Sequence, residues 1–288
     1  MKYHIFYNPL AGNGRCLESL EQMKLPDFCE KKLIELKTAE NLDGYFADLD
    51  RDDKVIICGG DGTLNKFINS FDSERLKNEI FYFASGSGND FSNDLNLKPD
   101  NSLINITEYI KNLPALHIGD TSLKFLNGIG YGIDGYVCGE INRKRGMGKA
   151  KVSYTLTAVK AFLGGYKPCK ATLNIDGKEY SYNKVWLSPI MKGRFFGGGM
   201  MIAPTQKRDN NENSLTVVIA HSLSTLKILR LFPTIFKGNH IKHKKYIDLH
   251  IGNNISVKFE RPSALQIDGE TIRNVTEYSV SSEKKVHI

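Results

Sequence analysis

The sequence predicts an α/β domain built on a parallel sheet, followed by a β-rich second domain, from three observations. In the first part, short apolar runs end in polar glycine turns and helical patterns follow them. From about Leu123 the texture changes to a series of short strand patterns. The charge divides along the same line. Residues 1–120 hold 13 Lys/Arg against 20 Asp/Glu, a net of −7, and residues 121–288 hold 26 against 12, a net of +14.

Tyr3 to Tyr7 is the first predicted strand, and Asn8 to Arg15 is a turn leading into a helix over about Leu17 to Met23. Ile34-Glu35-Leu36 predicts a second strand ending at Thr38, and Asn41 to Leu49 reads as helical. Val55 to Cys58 is the third strand. It stops at Gly59-Gly60-Asp61-Gly62-Thr63, and a helical pattern runs from Leu64 to Phe71. Ile80 to Ala84 is the fourth strand, ending in Ser85-Gly86-Ser87-Gly88-Asn89-Asp90. Such turns lie together at the carboxyl ends of parallel strands, where ligands bind. Glycines there allow φ > 0 and close approach of backbone to ligand. The N–H groups at the following helix start favour a phosphate. Asp61 would repel that phosphate unless a cation stood between them, so the pattern suggests a Mg²⁺-nucleotide. The spacing is neither a Walker A loop nor a Rossmann fingerprint.

In the second part, Ala171 to Tyr182 reads as a hairpin with Asp176-Gly177 as its tight turn. Leu123–Ile129, Lys184–Ile190, Gly199–Ala203, Leu215–Ala220, Ile255–Phe259 and Thr276–Val280 are further strand candidates. Two helices interrupt them. Ser153 to Leu163 carries Leu156, Val159, Phe162 and Leu163, and Ser222 to Lys237 carries Leu226, Leu229, Ile235 and Phe236. Core packing explains both apolar faces, with membrane contact as the alternative. Ile141–Ala171 and Asn213–Ile247 contain no acidic residue, with eight and six basic ones. That field suits an anionic surface, either an acidic membrane leaflet or nucleic acid. The five cysteines are scattered and never in CxxC spacing, which points to reduced thiols in a cytoplasmic protein. The sequence shows neither a transmembrane run nor signal-peptide architecture.

Four motifs in this order bring a family into view: Asn8-Pro9-x-Ala11-Gly12, Gly59 to Asn65, Gly86-Ser87-Gly88-Asn89-Asp90-Phe91 and Gln266-Ile267-Asp268-Gly269-Glu270. Together they resemble the bacterial diacylglycerol kinase catalytic-domain family, which includes sphingosine and related lipid kinases. The Gly-Gly-Asp-Gly-Thr turn alone is shared with NAD kinases and phosphofructokinases. The resemblance implies a Rossmann-like nucleotide-binding domain (1–120, with about 272–288 returning to it) and a β-sandwich-like domain (121–271) that helps form the lipid site. It implies ATP and Mg²⁺ as cofactors. Asn8, Pro9, Leu10, Ala11, Gly12, Thr38, Gly59, Gly60, Asp61, Gly62, Thr63, Leu64, Asn65, Lys66, Gly86, Ser87 and Asn89 would line the ATP site. Asp268 and Glu270 would be base and orienter, with strand alternation placing both on one side. Asp61 would anchor Mg²⁺ through water, supported by Asp90.

Several positions depart from the family pattern. Lys66 stands where Glu is common, Asn93 where Arg is common, and His117 where many members carry a metal-network Asp, with Asp120 as a substitute. The structural metal loop reads Asp209 to Ser214, leaving Glu212 as its acidic ligand. The expected reaction is transfer of the γ-phosphoryl group of ATP to a diacylglycerol-like hydroxyl by a cytoplasmic enzyme held peripherally at anionic membrane. An exposed strand of the second domain would offer an edge for a homodimer. The alternatives are a soluble NAD-type kinase, or a non-catalytic nucleotide- or nucleic-acid-binding module. No nucleic-acid-reading motif supports the last.

Overall fold

Five strands make the sheet of the first unit, Met1–Leu113, in a computed structural model that describes all residues except 15, 27–28, 40, 74–75, 87, 98–101, 148–151 and 284–288. In chain order the elements are β1 (Lys2–Tyr7), α1 (Ala11–Gly14), α2 (Cys16–Glu21), β2 (Glu30–Glu35), α3 (Leu42–Ala47), β3 (Lys54–Gly59), α4 (Asp61–Ile68), β4 (Ile80–Ala84), α5 (Asp90–Asp94) and β5 (Ile104–Asn105). The sheet order is β2-β1-β3-β4-β5, parallel except for the β4–β5 pair. The chain reverses its direction of travel across the sheet between β1 and β3. That is the topological switch point, where an open α/β sheet leaves a crevice beyond its carboxyl ends. Val55, Ile56, Ile57 and Cys58 are all fully buried, because a central parallel strand is covered on both faces.

The second unit, Pro114–Ile288, is dominated by antiparallel pairing. Its elements are β6 (Ala115–Ile118), β7 (Thr121–Lys124), β8 (Gly128–Tyr131), α6 (Ile133–Gly146), α7 (Tyr154–Lys160), β9 (Cys169–Ile175), β10 (Lys178–Val185), β11 (Ile190–Met191), β12 (Phe195–Phe196), β13 (Met200–Met201), β14 (Leu215–Ala220), α8 (Thr225–Ile235), β15 (Ile247–Gly252), β16 (Asn254–Ile267) and β17 (Glu270–Ser281). β16 organises the unit. Its first half pairs with β9, its second half with β8, and β17 follows it along both halves. Register shifts between Lys258 and Leu265 bend the strand where it changes partner. Side chains from both halves meet in one core, including Leu173, Val257 and Phe259 with Ile129, Tyr131, Val217 and Leu265.

The structure corrects several expectations. The division falls at Leu113/Pro114, and residues 272–281 do not leave the second unit: β17 pairs with β16 and with β6. Its hairpin partner β16 on one side and β6 on the other hold it there. α6 was not anticipated, because glycines and charges in Ile133–Gly146 blur its apolar period. The buried stripe of α8 is Ile228, Leu231, Phe232 and Ile235, while Leu226 is exposed. In α7 and the turn after it, Ala158, Ala161 and Phe162 face the core, whereas Leu156 (57%) and Leu163 (67%) face outward.

Candidate functional site

In the first unit, three strand ends bring their backbones to contact at the switch point. β3 delivers Gly59 and Gly60, and α4 begins at the next residue, so the positive end of its dipole opens on the turn. Thr63 N–H and Leu64 N–H donate to Gly60 O at 2.9 and 3.0 Å. From below, the buried Tyr82 hydroxyl donates to Gly59 O at 3.0 Å, and burial pushes that phenol well above its ordinary range. Glycine is required here by space. Gly60 has φ −100°, open to any residue, but a Cβ on Gly86 would stand 2.4 Å from Gly60 Cα, and one on Gly59 2.5 Å from Thr63. Only Gly12 of this set needs both properties, with φ +61° and a Cβ position 2.3 Å from Ser85 O. Across the crevice, Asn8 Nδ2 donates to Thr63 Oγ1 at 3.4 Å, and Asn8 Oδ1 accepts from Leu10 N–H at 3.1 Å.

Asp61 ties the second and third turns together. Its Oδ2 accepts from Asp90 N–H and its Oδ1 from Phe91 N–H, both at 3.0 Å, so a side chain on α4 caps the start of α5. Asn89 takes φ +51° before that helix, and its buried Oδ1 has no hydrogen-bond partner among the described residues. A buried acceptor without a donor, beside a turn stripped of side chains, is the mark of a site awaiting a ligand. Asn93 Nδ2 donates to Gly88 O at 3.1 Å, so Asn93, at the position where Arg is common, braces the loop.

The predicted ATP-site residues divide by what they can reach. Asn8, Gly12, Gly59, Gly60, Asp61, Thr63, Gly86 and Asn89 converge on the crevice. The Leu64 side chain is wholly buried in the core and Lys66 is exposed on the outer face of α4, so neither side chain faces it. Leu10 is exposed. The Thr38 hydroxyl turns back to Glu35 O at 3.0 Å. Ser87 lies outside the described residues.

In the second unit, Asp268 and Gly269 form the two-residue turn between β16 and β17, with φ +44° and +95° and Ile267 paired to Glu270. Asp268 and Glu270 therefore belong to a turn and the strand after it, and strand alternation does not relate them. The Asp268 carboxylate is buried and accepts N–H donors from Leu126 (2.6 Å), Asn127 (2.9 Å) and Gly128 (3.0 Å). Gln266 Oε1 accepts Gly269 N–H at 2.8 Å and Cys138 Sγ donates to Gly269 O at 3.0 Å, fixing the turn from both sides. Glu270 follows, half-buried.

Asp134 was missed by sequence reasoning. It sits in the first turn of α6, buried, and accepts from the Tyr154 hydroxyl. Burial pushes its carboxyl up to about 6, with Tyr154 and the nearby Gln266 amide pulling weakly the other way. The signal was present in Gly130-Tyr131-Gly132-Ile133-Asp134-Gly135, a strand, glycine turn and helix start like those of the first domain. Glu212 is exposed, and no group of three His, Cys, Asp or Glu suited to a metal lies among the described residues. Its loop closes on amides instead: Asn210 Oδ1 accepts Ser214 N–H at 2.8 Å, and the buried Lys192 ammonium donates to Asn213 Oδ1. His117 Nε2 lies 2.8 Å from Ser281 Oγ in the β6–β17 pair, and Asp120 is an exposed turn residue.

Comparison with known proteins gives the same two parts. Residues 2–115 match the family model described as diacylglycerol kinase catalytic domain. Residues 127–282 match that described as YegS C-terminal NAD kinase beta sandwich-like domain. A Staphylococcus carnosus protein named "Putative lipid kinase" is 27% identical over 282 residues, covering 92% of this chain and 89% of that one. A diacylglycerol kinase of Mycobacterium tuberculosis is 29% identical over 202 residues, 66% of this chain and 62% of that one. The crystal structure of a diacylglycerol kinase from Bacillus anthracis shares the fold, with a TM-score of 0.62 at 17% identity over 98% of this chain and 94% of that one.

Proposed function

The chain belongs to the bacterial family of diacylglycerol and related lipid kinases, and on that premise we propose its acceptor and its chemistry. It is an ATP-dependent lipid kinase; the proposed acceptor is the free hydroxyl of diacylglycerol or a closely similar lipid. The observation that carries the nucleotide half is the side-chain-free approach of Gly60 to Gly86 and of Gly12 to Ser85, which leaves backbone donors for phosphate oxygens. An Asp61 carboxylate beside such a turn, with the orphaned Asn89 Oδ1, fits a hydrated Mg²⁺ ion held through its waters. When bound, that ion offsets negative charge on the transferring phosphoryl group.

A lipid hydroxyl needs a carboxylate to take its proton. Asp268 is unsuited, because three amide donors occupy its oxygens inside the protein. Glu270 is therefore the base, and Asp268 is the positioning residue that fixes the hairpin turn presenting it. The basic balance of residues 121–288 and the outward Leu156 and Leu163 support peripheral attachment of a cytoplasmic enzyme to anionic membrane. No helix among the described residues is long and apolar enough to cross a membrane.

The test is incubation with labelled ATP and a total-lipid extract, with the product identified by mass. A phosphorylated lipid hydroxyl that disappears with Glu270→Gln is the expected result. Label entering NAD instead of any lipid would overturn the reading.

A further inference from the structure

A cleft of the second unit lies between α6 and the β16–β17 hairpin and encloses about 520 Å³. Four cations line it: Arg143 from α6, Lys167 from the segment after α7, Arg261 from β16 and Arg273 from β17. Glu140 is the one acid among its lining residues, so four positive charges face one negative and leave a balance of three positive. Arg143 Nη2 donates to Glu140 Oε2 at 2.9 Å. That contact, with further pull from Arg273, holds the Glu140 carboxyl below its usual range. Arg273 makes no hydrogen bond or ion pair among the described residues and is exposed. Arg261 Nη2 donates to Lys167 O at 2.9 Å, which joins two of the cations into one wall.

The backbone is shaped for this cleft. The register of β16 and β17 shifts between Lys258 and Leu265, which brackets Arg261, and Asn274 beside Arg273 adopts φ +58°. Such irregularities redirect side chains out of the ordinary strand alternation. Regular pairing would have set Arg261 and Arg273 against neighbouring strand residues instead of around a shared space. Guanidinium groups converging with an ammonium suit a phosphate, whose oxygens accept bidentate donors. The rest of the lining mixes apolar and aromatic residues, including Tyr136, Tyr166, Pro262 and Ala264, with the polar Ser263 and Asn274. At the edge of the cleft Gly164 follows the exposed Leu163, which shares the outward face with Leu156 seven residues before it. A cationic cleft with the exposed Leu163 next to its lining residue Gly164 suits a phosphate headgroup with acyl chains beside it.

We propose that this cleft binds the phosphate-monoester headgroup of an anionic lipid, outside the site of phosphoryl transfer, and so docks the second unit on the membrane. The proposal deepens the reading of that unit as lipid-facing, and its test contains no ATP, so failure of the kinase reading and failure of this one are separately visible. Sedimentation with phosphatidylcholine vesicles, with and without phosphatidic acid, reads vesicle binding of the full chain. Calorimetry with glycerol 3-phosphate reads the soluble form of the same chemistry.

Arg273→Gln combined with Lys167→Gln should weaken binding to the phosphatidic acid vesicles about thirtyfold, as expected for two cations at a charged surface. Lys178→Gln, an exposed lysine on β10 away from the cleft, should weaken it by less than about fivefold. Arg273→Lys should keep most vesicle binding, which separates loss of charge from loss of fold. Leu163→Ser should reduce vesicle binding but spare glycerol 3-phosphate. If glycerol 3-phosphate binds with the same dependence on Arg273 while vesicles do not bind, the cleft stands as a site for a soluble phosphate monoester and the membrane role falls. If the double variant matches the parent in both measurements, or Lys178→Gln is equally damaging, the proposal is overturned.

Discussion

Two Asp-Gly pairs sit at the centres of the two units, and they do different work from nearly the same chemistry. Asp61 opens a helix after a buried parallel strand and spans to the backbone of Asp90 and Phe91. Asp268 occupies a hairpin turn and spans to Leu126, Asn127 and Gly128. Both carboxylates staple a distant loop by accepting main-chain donors, which is stronger than bonding between neutral groups. The difference lies in surroundings. Asp61 is half-buried beside glycines and an orphaned Asn89 acceptor, whereas Asp268 is buried under three amides. A carboxylate acting as a base needs an oxygen open to its substrate, and Glu270, half-buried, is the proposed base of the second unit. An acidic motif thus has to be read atom by atom before a role is given to each member.

The comparison is broken most directly at Glu270. Glu270→Gln should lower kcat by about 10²–10⁴-fold with little change in Tm, the expected loss for a general base. If turnover survives, the base lies elsewhere. Asp268→Ala should act in the opposite sense, costing about 3–5 kcal/mol in chemical denaturation, because three buried amides lose a charged acceptor. In the first unit, Gly86→Ala should weaken ATP binding strongly, since its Cβ would meet Gly60 Cα at 2.4 Å and force the turns apart. Nucleotide titration followed by fluorescence would measure it. Asp61→Asn removes one of two acceptors and should cost about 1–3 kcal/mol, less than Asp268→Ala.

The smallest effect concerns Asp134. Its carboxyl, raised to about 6 by burial, favours the folded state while protonated, and that contribution is lost as pH rises through about 6. One group of this kind is worth up to about 3 kcal/mol between pH 4 and 6. His240 works against it in the same window. Burial lowers it to about 4, so its contribution is present above its ordinary value and is lost as pH falls towards 4. The informative quantity is therefore the Tm difference between Asp134→Asn and the parent, which should grow in favour of the variant as pH rises from about 4 to 7. A difference that stays flat across that range would show that Asp134 is not held neutral by its surroundings.

Much of the first unit was legible because its signals are local. β4 runs over Ile80–Ala84 as its apolar run predicts, and β3 ends at Gly59 where the glycine turn begins. The reason for the glycines was not legible. Gly60 and Gly86 are set by the distance between two backbones that meet only after folding, and one-dimensional patterns carry no distances. In the second unit, Leu215–Ala220 and the Asp176–Gly177 hairpin were plain, but α6 and the partner exchange of β16 were not. An apolar period can announce that a helix has a buried face. It cannot announce Leu156 and Leu163 as outward, because the side chosen depends on what packs against the other.

Residue type and spacing along the chain were enough for the alternating strands and helices of the first part, the division of charge between the two parts and the family motifs. The folded chain buries Asp268 under three amide donors and leaves Glu270 half-buried. It also closes the Asp209–Ser214 loop on amides and a lysine, and sets Arg143, Lys167, Arg261 and Arg273 around one cleft. The physical reason is the same in each case: hydrogen bonding, burial and convergence of charge are fixed by neighbours far away in the chain.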